Sequence, residues 1–236
     1  MRITVKRQRD TSATPYWQSF ECDSSPEMTV SALLDRLNYT DDLYDVDGNA
    51  APRIRWDCSC LQKMCGACAM IINGVPGLAC ATFLRDIKGD RLTLEPLSKF
   101  PVVADLIVDR SVIERGLLQA EAYLGRYRGL PEKDFPQLYS VAKCLKCGLC
   151  LEICPNYTGG DNFFGALFAN EMYLLALQSA DRRKELKKEY SSHFASGCSR
   201  ALSCVNVCPA GIDTLASMAE MSRLKTGRRP ADPAEQ

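Results

Sequence analysis

Residues 143–155 read KCLKCGLCLEICP and place four cysteines at the spacing C-x2-C-x2-C-x3-C, with a proline directly after the last. This spacing is typical of two-cluster ferredoxins, in which three of the cysteines bind one [4Fe–4S] cluster and the fourth binds the other cluster. The run therefore predicts a [4Fe–4S] cluster and also a second cysteine run that completes it. Its cysteines are Cys144, Cys147, Cys150 and Cys154.

The second run is CSRALSCVNVCP, residues 198–209, which also ends in Cys-Pro. Its cysteines are Cys198, Cys204 and Cys208, and Ala201 stands where a fourth cysteine is expected. If the two runs exchange their last cysteines, Cys208 completes the [4Fe–4S] cluster of Cys144, Cys147 and Cys150.

The exchange leaves three thiolates, those of Cys154, Cys198 and Cys204. Three thiolates can hold a cubane that lacks one iron, a [3Fe–4S] cluster, and the small apolar side chain of Ala201 can face the open corner. The alternatives are a [4Fe–4S] cluster with a non-cysteine ligand and the loss of the site. Neither alternative explains why the three cysteines keep their intervals.

A third array lies upstream in CLQKMCGACAMIINGVPGLAC, residues 60–80. Its spacing, C-x4-C-x2-C followed by a distant cysteine, is the plant-type spacing for a [2Fe–2S] cluster. Gly66 lets the backbone approach the inorganic sulfides and offer them N–H groups. A zinc ribbon is the alternative, but its thiolates usually come as two C-x2-C pairs, and only one such pair is present. The expected iron ligands are Cys60, Cys65, Cys68 and Cys80.

Two of the thirteen cysteines fall outside the arrays. Cys58 lies two residues before Cys60, and its use as a ligand would lengthen the first interval from four residues to six, so we expect a partly buried cysteine beside the site. Cys22 lies in a strand-like segment and is expected to pack in the core.

The first hundred residues predict a small mixed sheet with one helix across it. Strands are expected near Ile3 and Val5, over residues 17–22, 53–56, 69–72 and 91–95, with an Asn73-Gly74 turn after the fourth. A helix capped by Thr29 is expected between residues 26 and 38.

The remainder of the chain predicts helices. Apolar residues recur without alternation over residues 105–124, 163–178 and 181–194, and the proline-containing segment 96–105 marks the boundary. The fold class is therefore α+β, with domains over residues 1–104 and 105–236. Residues 226–236 are expected to be a frayed tail.

Charge and apolarity exclude several function classes. Lys+Arg and Asp+Glu balance at 29 each, so no global field gathers nucleic acid. The most apolar stretch, residues 163–177, is too short to span a bilayer, and the N-terminus has no apolar segment of a signal peptide. A reducing cytoplasmic location is expected, where cysteines in arrays serve as metal ligands rather than disulfides.

The chain resembles the iron–sulfur subunits of the succinate dehydrogenase and fumarate reductase family. The resemblance covers nearly the whole chain and rests on CGACAMIINGVPGLAC, PLSKFPVVADLIVDRS, KCLKCGLCLEICP and CSRALSCVNVCP, in that order. It implies an N-terminal plant-ferredoxin-like β-grasp domain and a C-terminal α-helical domain like bacterial ferredoxins. It also implies [2Fe–2S], [4Fe–4S] and [3Fe–4S] clusters in series.

The resemblance further implies electron transfer between a separate FAD-containing flavoprotein subunit and a quinone at a membrane-anchor subunit, within a hetero-oligomer. The chain would then be peripheral on the inner face of the cell membrane and would not bind the dicarboxylate. Pro155 and Ser199 are the residues expected near the quinone.

The family pattern is not matched at four positions. Gly159 and Ser199 stand where many succinate dehydrogenases have Trp and His. In the helix after the final Cys-Pro, where fumarate reductases often have a Lys, this chain reads Met221-Ser222-Arg223. Leu61 replaces an Arg that commonly follows the first [2Fe–2S] ligand. A soluble cluster-bearing adapter of another flavoprotein reductase, with a donor other than a quinone, is the competing hypothesis.

Overall fold

A computed structural model describes residues 1–160 and 162–224. The strands are β1 (Arg2–Arg7), β2 (Tyr16–Glu21), β3 (Leu43–Tyr44), β4 (Ala50–Ala51), β5 (Ala69–Ile72), β6 (Val75–Leu78), β7 (Arg91–Glu95), β8 (Val102–Ala104) and β9 (Ile107–Val108). The helices are α1 (Val30–Asn38), α2 (Ser111–Gln119), α3 (Phe135–Ala142), α4 (Leu149–Glu152), α5 (Gly165–Gln178), α6 (Arg183–Tyr190), α7 (Ser203–Val207) and α8 (Thr214–Arg223). The tail expected over residues 226–236 lies outside the described residues.

A five-stranded mixed sheet forms the N-terminal part, in the order β2-β1-β7-β5-β6. Strands β1 and β7 are parallel, and the other neighbours are antiparallel. Ile3 and Val5 alternate with polar residues and bury one face of β1. Helix α1 covers that core with Leu33, Leu34 and Leu37, so the predicted mixed sheet with one helix is confirmed.

The helix cap and the hairpin turn predicted from the sequence are both present. The Thr29 hydroxyl accepts from the backbone N–H of Ala32 and caps α1. Asn73 and Gly74 both have positive φ, 48° and 78°, as the two-residue turn between β5 and β6 requires. These positions show that the hairpin that leads to Cys80 is encoded locally.

The strand predicted over residues 53–56 is wrong. Side chains take most of the backbone hydrogen bonds of this segment, and one backbone bond, from the N–H of Leu106 to the carbonyl of Arg55 at 3.1 Å, does not extend into a strand pair. The amide of Asn38 bonds both the N–H and the carbonyl of Ile54, at 2.8 Å each, and the Asp105 carboxylate accepts from the N–H of Arg55 at 3.0 Å. The segment is therefore extended but unpaired.

A hairpin of β8 and β9 joins the two parts of the chain. Asp105 lies at its turn and forms a buried ion pair with Arg7 of β1, at 3.0 Å and with each side chain 2% exposed. The domain boundary expected between residues 104 and 105 falls inside this hairpin. The hairpin also explains why the helix expected over residues 105–124 is confined to α2.

The C-terminal part is helical, with α5 in contact with α3, α4, α6 and α8. Eleven of the fourteen residues of α5 are buried, so it is the central helix of this part. Helix α6 continues into a π-helical turn, Ser191–Ala195, that ends shortly before the last cysteine run. Within residues 1–160 and 162–224, no helix has both the length and the apolarity needed to cross a bilayer.

One apolar core extends from the N-terminal sheet into the helical part, which also has a second core of its own. Leu149 and Leu151 of α4 belong to the same buried cluster as the residues of the N-terminal sheet. The buried carboxylate of Glu152 accepts from the hydroxyl of Ser98 at 2.6 Å and from the N–H of Lys99 at 3.1 Å. The predicted α+β fold is thus confirmed, and α4 is the element that joins its parts.

Candidate metal centres

The loop between Cys60 and Cys68 turns its backbone N–H groups toward cysteine sulfurs. The N–H groups of Gln62 and Met64 each lie 3.3 Å from the Sγ atom of Cys60, and that of Lys63 lies 3.3 Å from the Sγ of Cys80. Lys63 adopts a left-handed φ of 63°, which allows successive N–H groups to face one concavity. Such a nest of N–H groups stabilises anionic sulfur.

The fourth cysteine of this array reaches the loop through the β5–β6 hairpin. Cys68 directly precedes β5, and Cys80 lies in a 3₁₀ turn after β6, so antiparallel pairing brings the two together. The N–H of Cys80 lies 3.5 Å from the Sγ of Cys68. The twelve-residue separation in sequence is therefore closed by the hairpin.

The environments of these thiols differ. Hydrogen bonds from the N–H groups of Gln62 and Met64 lower the pKa of Cys60 to about 7. Burial raises the pKa of Cys68 to about 12. Cys60 is thus ready to bind a cation at neutral pH, whereas Cys68 needs a metal nearby to lose its proton.

The two C-terminal cysteine runs have the same backbone conformation. In the first, Lys146 and Gly148 have φ of 50° and 86°, and α4 begins directly after Gly148. In the second, Arg200 and Leu202 have φ of 60° and 59°, and α7 begins directly after Leu202. Each run therefore turns twice through the left-handed region before a short helix that carries a cysteine.

This correspondence places Ala201 where the first run has Cys147, in each case between the two left-handed residues. The loop at Ala201 thus has the geometry of a ligand loop although its side chain cannot bind iron.

Both runs contribute to one cavity beside α4. It is lined by cysteines of the two runs together with apolar side chains; the cysteines are Cys144, Cys147, Cys150, Cys204 and Cys208. The predicted [4Fe–4S] ligands are therefore brought together, and Cys204 of the other predicted set lies beside them.

Electrostatic effects act both within and between the two predicted ligand sets. Burial raises the pKa values of Cys144 and Cys147, and the neighbouring charge of Cys208 adds to the rise. Burial of the Cys150 thiol raises its pKa well above the usual value, and the charges of Cys147 and Cys144 add to the rise.

In the other group, burial raises the pKa of Cys204, and the charges of Cys154 and Cys198 act on it in the same direction. Cys208 therefore lies near Cys144 and Cys147, and Cys154 and Cys198 lie near Cys204, whose charge also acts on Cys150.

The residues present suit iron–sulfur clusters. Sulfur donors, N–H groups directed at sulfur, and glycine at close approaches are the features such clusters use. Among the described residues, no three His, Cys, Asp or Glu side chains are arranged to hold a single metal ion. A cluster distributes its thiolates over several iron atoms, so its ligands need not meet at one point.

The [2Fe–2S] loop and the [4Fe–4S] loop are in contact. Gly66 has a φ of 77°, and a Cβ atom placed on it would lie 2.6 Å from the Cβ of Cys147. No side chain fits between the two loops at this point. The first array is thereby held directly against the second.

Near the predicted quinone end, Pro155 and Ser199 are both exposed. The hydroxyl of Ser199 donates to Oδ1 of Asn156 at 2.8 Å, and Nδ2 of Asn156 donates to the carbonyl of Gly197 at 2.7 Å. The sequence interpretation missed Asn156, which connects the two cysteine runs. Its partners lie 41 and 43 positions away, so no local sequence signal identifies it.

Three other singled-out residues have ordinary surroundings. Cys22 packs against the edge of the N-terminal core as expected, whereas Cys58 is exposed rather than partly buried. Arg223 forms an exposed ion pair with Glu220 at 3.0 Å.

Two family models match the chain. One, described as a 2Fe-2S iron–sulfur cluster binding domain, matches residues 2–115, and the other, a 4Fe-4S dicluster domain, matches residues 140–212. The first model extends past the β8–β9 hairpin. Both matches agree with the order of the cysteine arrays.

Related proteins align with this chain over most of its length and most of their own. The succinate dehydrogenase iron–sulfur subunit of Bacillus subtilis (strain 168) is 33% identical over 94% of this chain and 91% of its own. The fumarate reductase iron–sulfur subunit of Mycobacterium tuberculosis (strain CDC 1551 / Oshkosh) is 34% identical over 89% and 87%. A chain of the Mycobacterium smegmatis Sdh1 complex in the apo form has the same fold, with a TM-score of 0.72, 22% identity and coverage of 94% and 95%.

Proposed function

The chain belongs to the family of succinate dehydrogenase and fumarate reductase iron–sulfur subunits, and on that premise we propose that it carries electrons between a flavoprotein subunit and a membrane quinone. Membership of the family makes it part of an oxidoreductase complex with [2Fe–2S] and [4Fe–4S] cofactors. The proposal adds the partners, the third cluster and the ligands of each cluster.

The proposed ligands are the three sets that the cysteine spacing predicts. Cys60, Cys65, Cys68 and Cys80 hold the [2Fe–2S] cluster; Cys144, Cys147, Cys150 and Cys208 hold the [4Fe–4S] cluster; Cys154, Cys198 and Cys204 hold a [3Fe–4S] cluster. Once bound, these clusters supply the chain with one-electron carriers. The chain's own residues hold, orient and shield them.

The observation that carries the proposal is the continuity of the three arrays. Gly66 presses the first array against Cys147 of the second, and Cys204 lines the cavity of the second while lying near Cys154 and Cys198. An electron that enters at the [2Fe–2S] loop, where Met64 is exposed, can therefore reach the proposed [3Fe–4S] cluster without crossing a region that lacks cysteines.

The partners follow from where the arrays reach the surface. We assign the flavoprotein to the side of the [2Fe–2S] loop, where Leu61 and Met64 are 42% and 71% exposed. The membrane-anchor subunit is assigned to the side of Pro155 and Ser199, which makes the complex peripheral on the inner face of the cell membrane. Nucleic acid is not among the proposed partners.

Purification of the native complex tests this proposal. The chain, tagged in its own host and extracted with mild detergent, is expected to copurify with a flavoprotein and a hydrophobic subunit, and the complex is expected to reduce a quinone analogue with succinate. Copurification with a flavoprotein alone, without reaction with a quinone analogue, would contradict it and support the soluble adapter.

A further inference from the structure

Arg110 lies at the junction between the first and second cysteine arrays, just before α2. Its Nη2 group donates to the carbonyl of Ala67 at 2.7 Å, and its Nη1 group to the carbonyl of Gly66 at 3.3 Å. Both carbonyls belong to the loop that touches Cys147. One planar guanidinium therefore holds the loop at the point where the two arrays meet.

Arg110 forms no salt bridge within residues 1–160 and 162–224, and the adjacent carboxylate of Asp109 accepts from the N–H of Ser111 instead. Its Nε group is buried and has no hydrogen-bond partner among those residues. A buried, unpaired N–H on a cation is costly unless an anion or another acceptor faces it.

The helix gains nothing from this residue. Arg110 occupies the N-cap position of α2 but makes no capping hydrogen bond. The N-terminus of a helix already carries partial positive charge, and a cation there is unfavourable. Asp, Ser, Thr or Asn would cap α2 better, so the reason for a cation lies outside the helix.

Arg110 also lies close to the second array. It binds the carbonyl of Gly66, and a Cβ atom placed on Gly66 would lie 2.6 Å from the Cβ of Cys147. The guanidinium therefore sits where a fixed positive charge acts on both arrays.

We propose that Arg110 is a positioning residue that joins the [2Fe–2S] loop to the [4Fe–4S] loop and raises the reduction potential of the clusters on both sides. Reduction adds an electron, and a fixed positive charge in a poorly solvated junction stabilises the added negative charge. The inference rests on the ligand sets of the proposed function.

The test measures midpoint potentials by EPR-monitored redox titration of the purified complex. Arg110→Gln removes the charge and keeps a hydrogen-bonding group, so the [2Fe–2S] and [4Fe–4S] potentials are expected to fall. The expected shift corresponds to about a tenfold change in the ratio of oxidised to reduced cluster, or ~59 mV for one electron.

Two further variants separate the charge from other effects. Arg110→Lys keeps the charge but cannot bind both carbonyls in a fork, so its potentials are expected to stay near those of the wild type. Arg115→Gln removes a charge from the exposed side of α2, where Arg115 donates to Ser111, and is expected to shift neither potential.

Unchanged potentials in Arg110→Gln, at full iron content, would overturn the inference. If that variant fails to assemble, the test uses Arg110→Lys. Assembly with near-native midpoint potentials supports the inference. A fall of ~59 mV in those potentials contradicts it. A wild-type complex without [2Fe–2S] and [4Fe–4S] signals would instead refute the proposed function.

Discussion

Ala201 occupies the backbone position that the other cysteine run gives to Cys147. Left-handed residues flank each of them, and a short helix follows each loop. The loop is therefore preserved while the ligand is absent, which is the arrangement expected for a cluster with one open corner.

Ala201→Cys supplies a thiol at that corner. We expect the variant to gain iron and to convert the third cluster toward [4Fe–4S], because a fourth thiolate can hold the iron that three leave out. The measurement is the oxidised EPR signal of the [3Fe–4S] cluster together with iron analysis. Ser196→Cys, an exposed position outside the ligand loop, is the matched control and should leave the signal unchanged. An unaltered signal in Ala201→Cys would count against the assigned ligands.

Cys60 and Cys68 are expected to react differently once iron has been removed with a chelator. The pKa of Cys60 is lowered to about 7 and that of Cys68 is raised to about 12. The thiolate is the reactive form, so alkylation of Cys60 should be rapid at pH 8 and should slow as the pH falls below about 7, where the thiolate is protonated. Alkylation of Cys68 should remain slow throughout. Mass spectrometry of iodoacetamide-treated protein measures both rates, and equal rates would contradict the prediction.

Spacing predicts the cysteine groups, because cluster ligation places its cysteines at characteristic intervals along the chain. It could not reveal Asn156 or Arg110, because their roles come from contacts with residues more than forty positions away. A single sequence carries no periodic signal for such contacts.

At the scale of elements, the loop containing Gly66 is the most constrained segment of the site. Its φ of 77° disfavours any side chain, and the Cβ and Cα atoms of Cys147 leave no space for one. The loop and the second array must therefore fold against each other.

Gly66→Ala is expected to destabilise the protein more than Gly74→Ala. Both positions have φ near 78°, so each substitution carries a similar backbone cost of about 1–2 kcal/mol, but only Gly66 has neighbours within 4 Å. The additional loss of stability in Gly66→Ala measures the steric conflict with Cys147. The measurement is the urea concentration at which half of the visible cluster absorbance is lost. Equal midpoints for the two variants would show that the contact has no energetic weight.

Elements whose pairing is local were predicted correctly, including α1 and the β5–β6 hairpin. The two failures have different causes. Residues 53–56 have the composition of a strand, yet the side chains of Asn38 and Asp105 take three of their backbone hydrogen bonds, so tertiary partners overrode local propensity. Residues 107–108, Ile and Val, stand at the start of the run predicted as a helix but pair as β9, in agreement with the strand preference of β-branched residues.

For the whole molecule, Glu152 is a buried polar link between the N-terminal and helical parts. It is 8% exposed and accepts two hydrogen bonds from residues 98 and 99. Glu152→Gln places an amide N–H₂ group against one of these donors, so we expect a loss of about 1–3 kcal/mol in the free energy of unfolding. Glu132→Gln, at an exposed position before α3, is the control and should change little. Chemical denaturation measures both variants, and a Glu152→Gln protein as stable as the control would contradict the assigned link.

The central claim is that one chain holds three clusters in series. Iron analysis combined with EPR of the air-oxidised and the dithionite-reduced protein tests it most directly. The account predicts about nine irons per chain, a [3Fe–4S] signal in the oxidised sample, and [2Fe–2S] and [4Fe–4S] signals in the reduced sample. A colourless chain that contains zinc, or an oxidised sample without a [3Fe–4S] signal at full iron content, would contradict it.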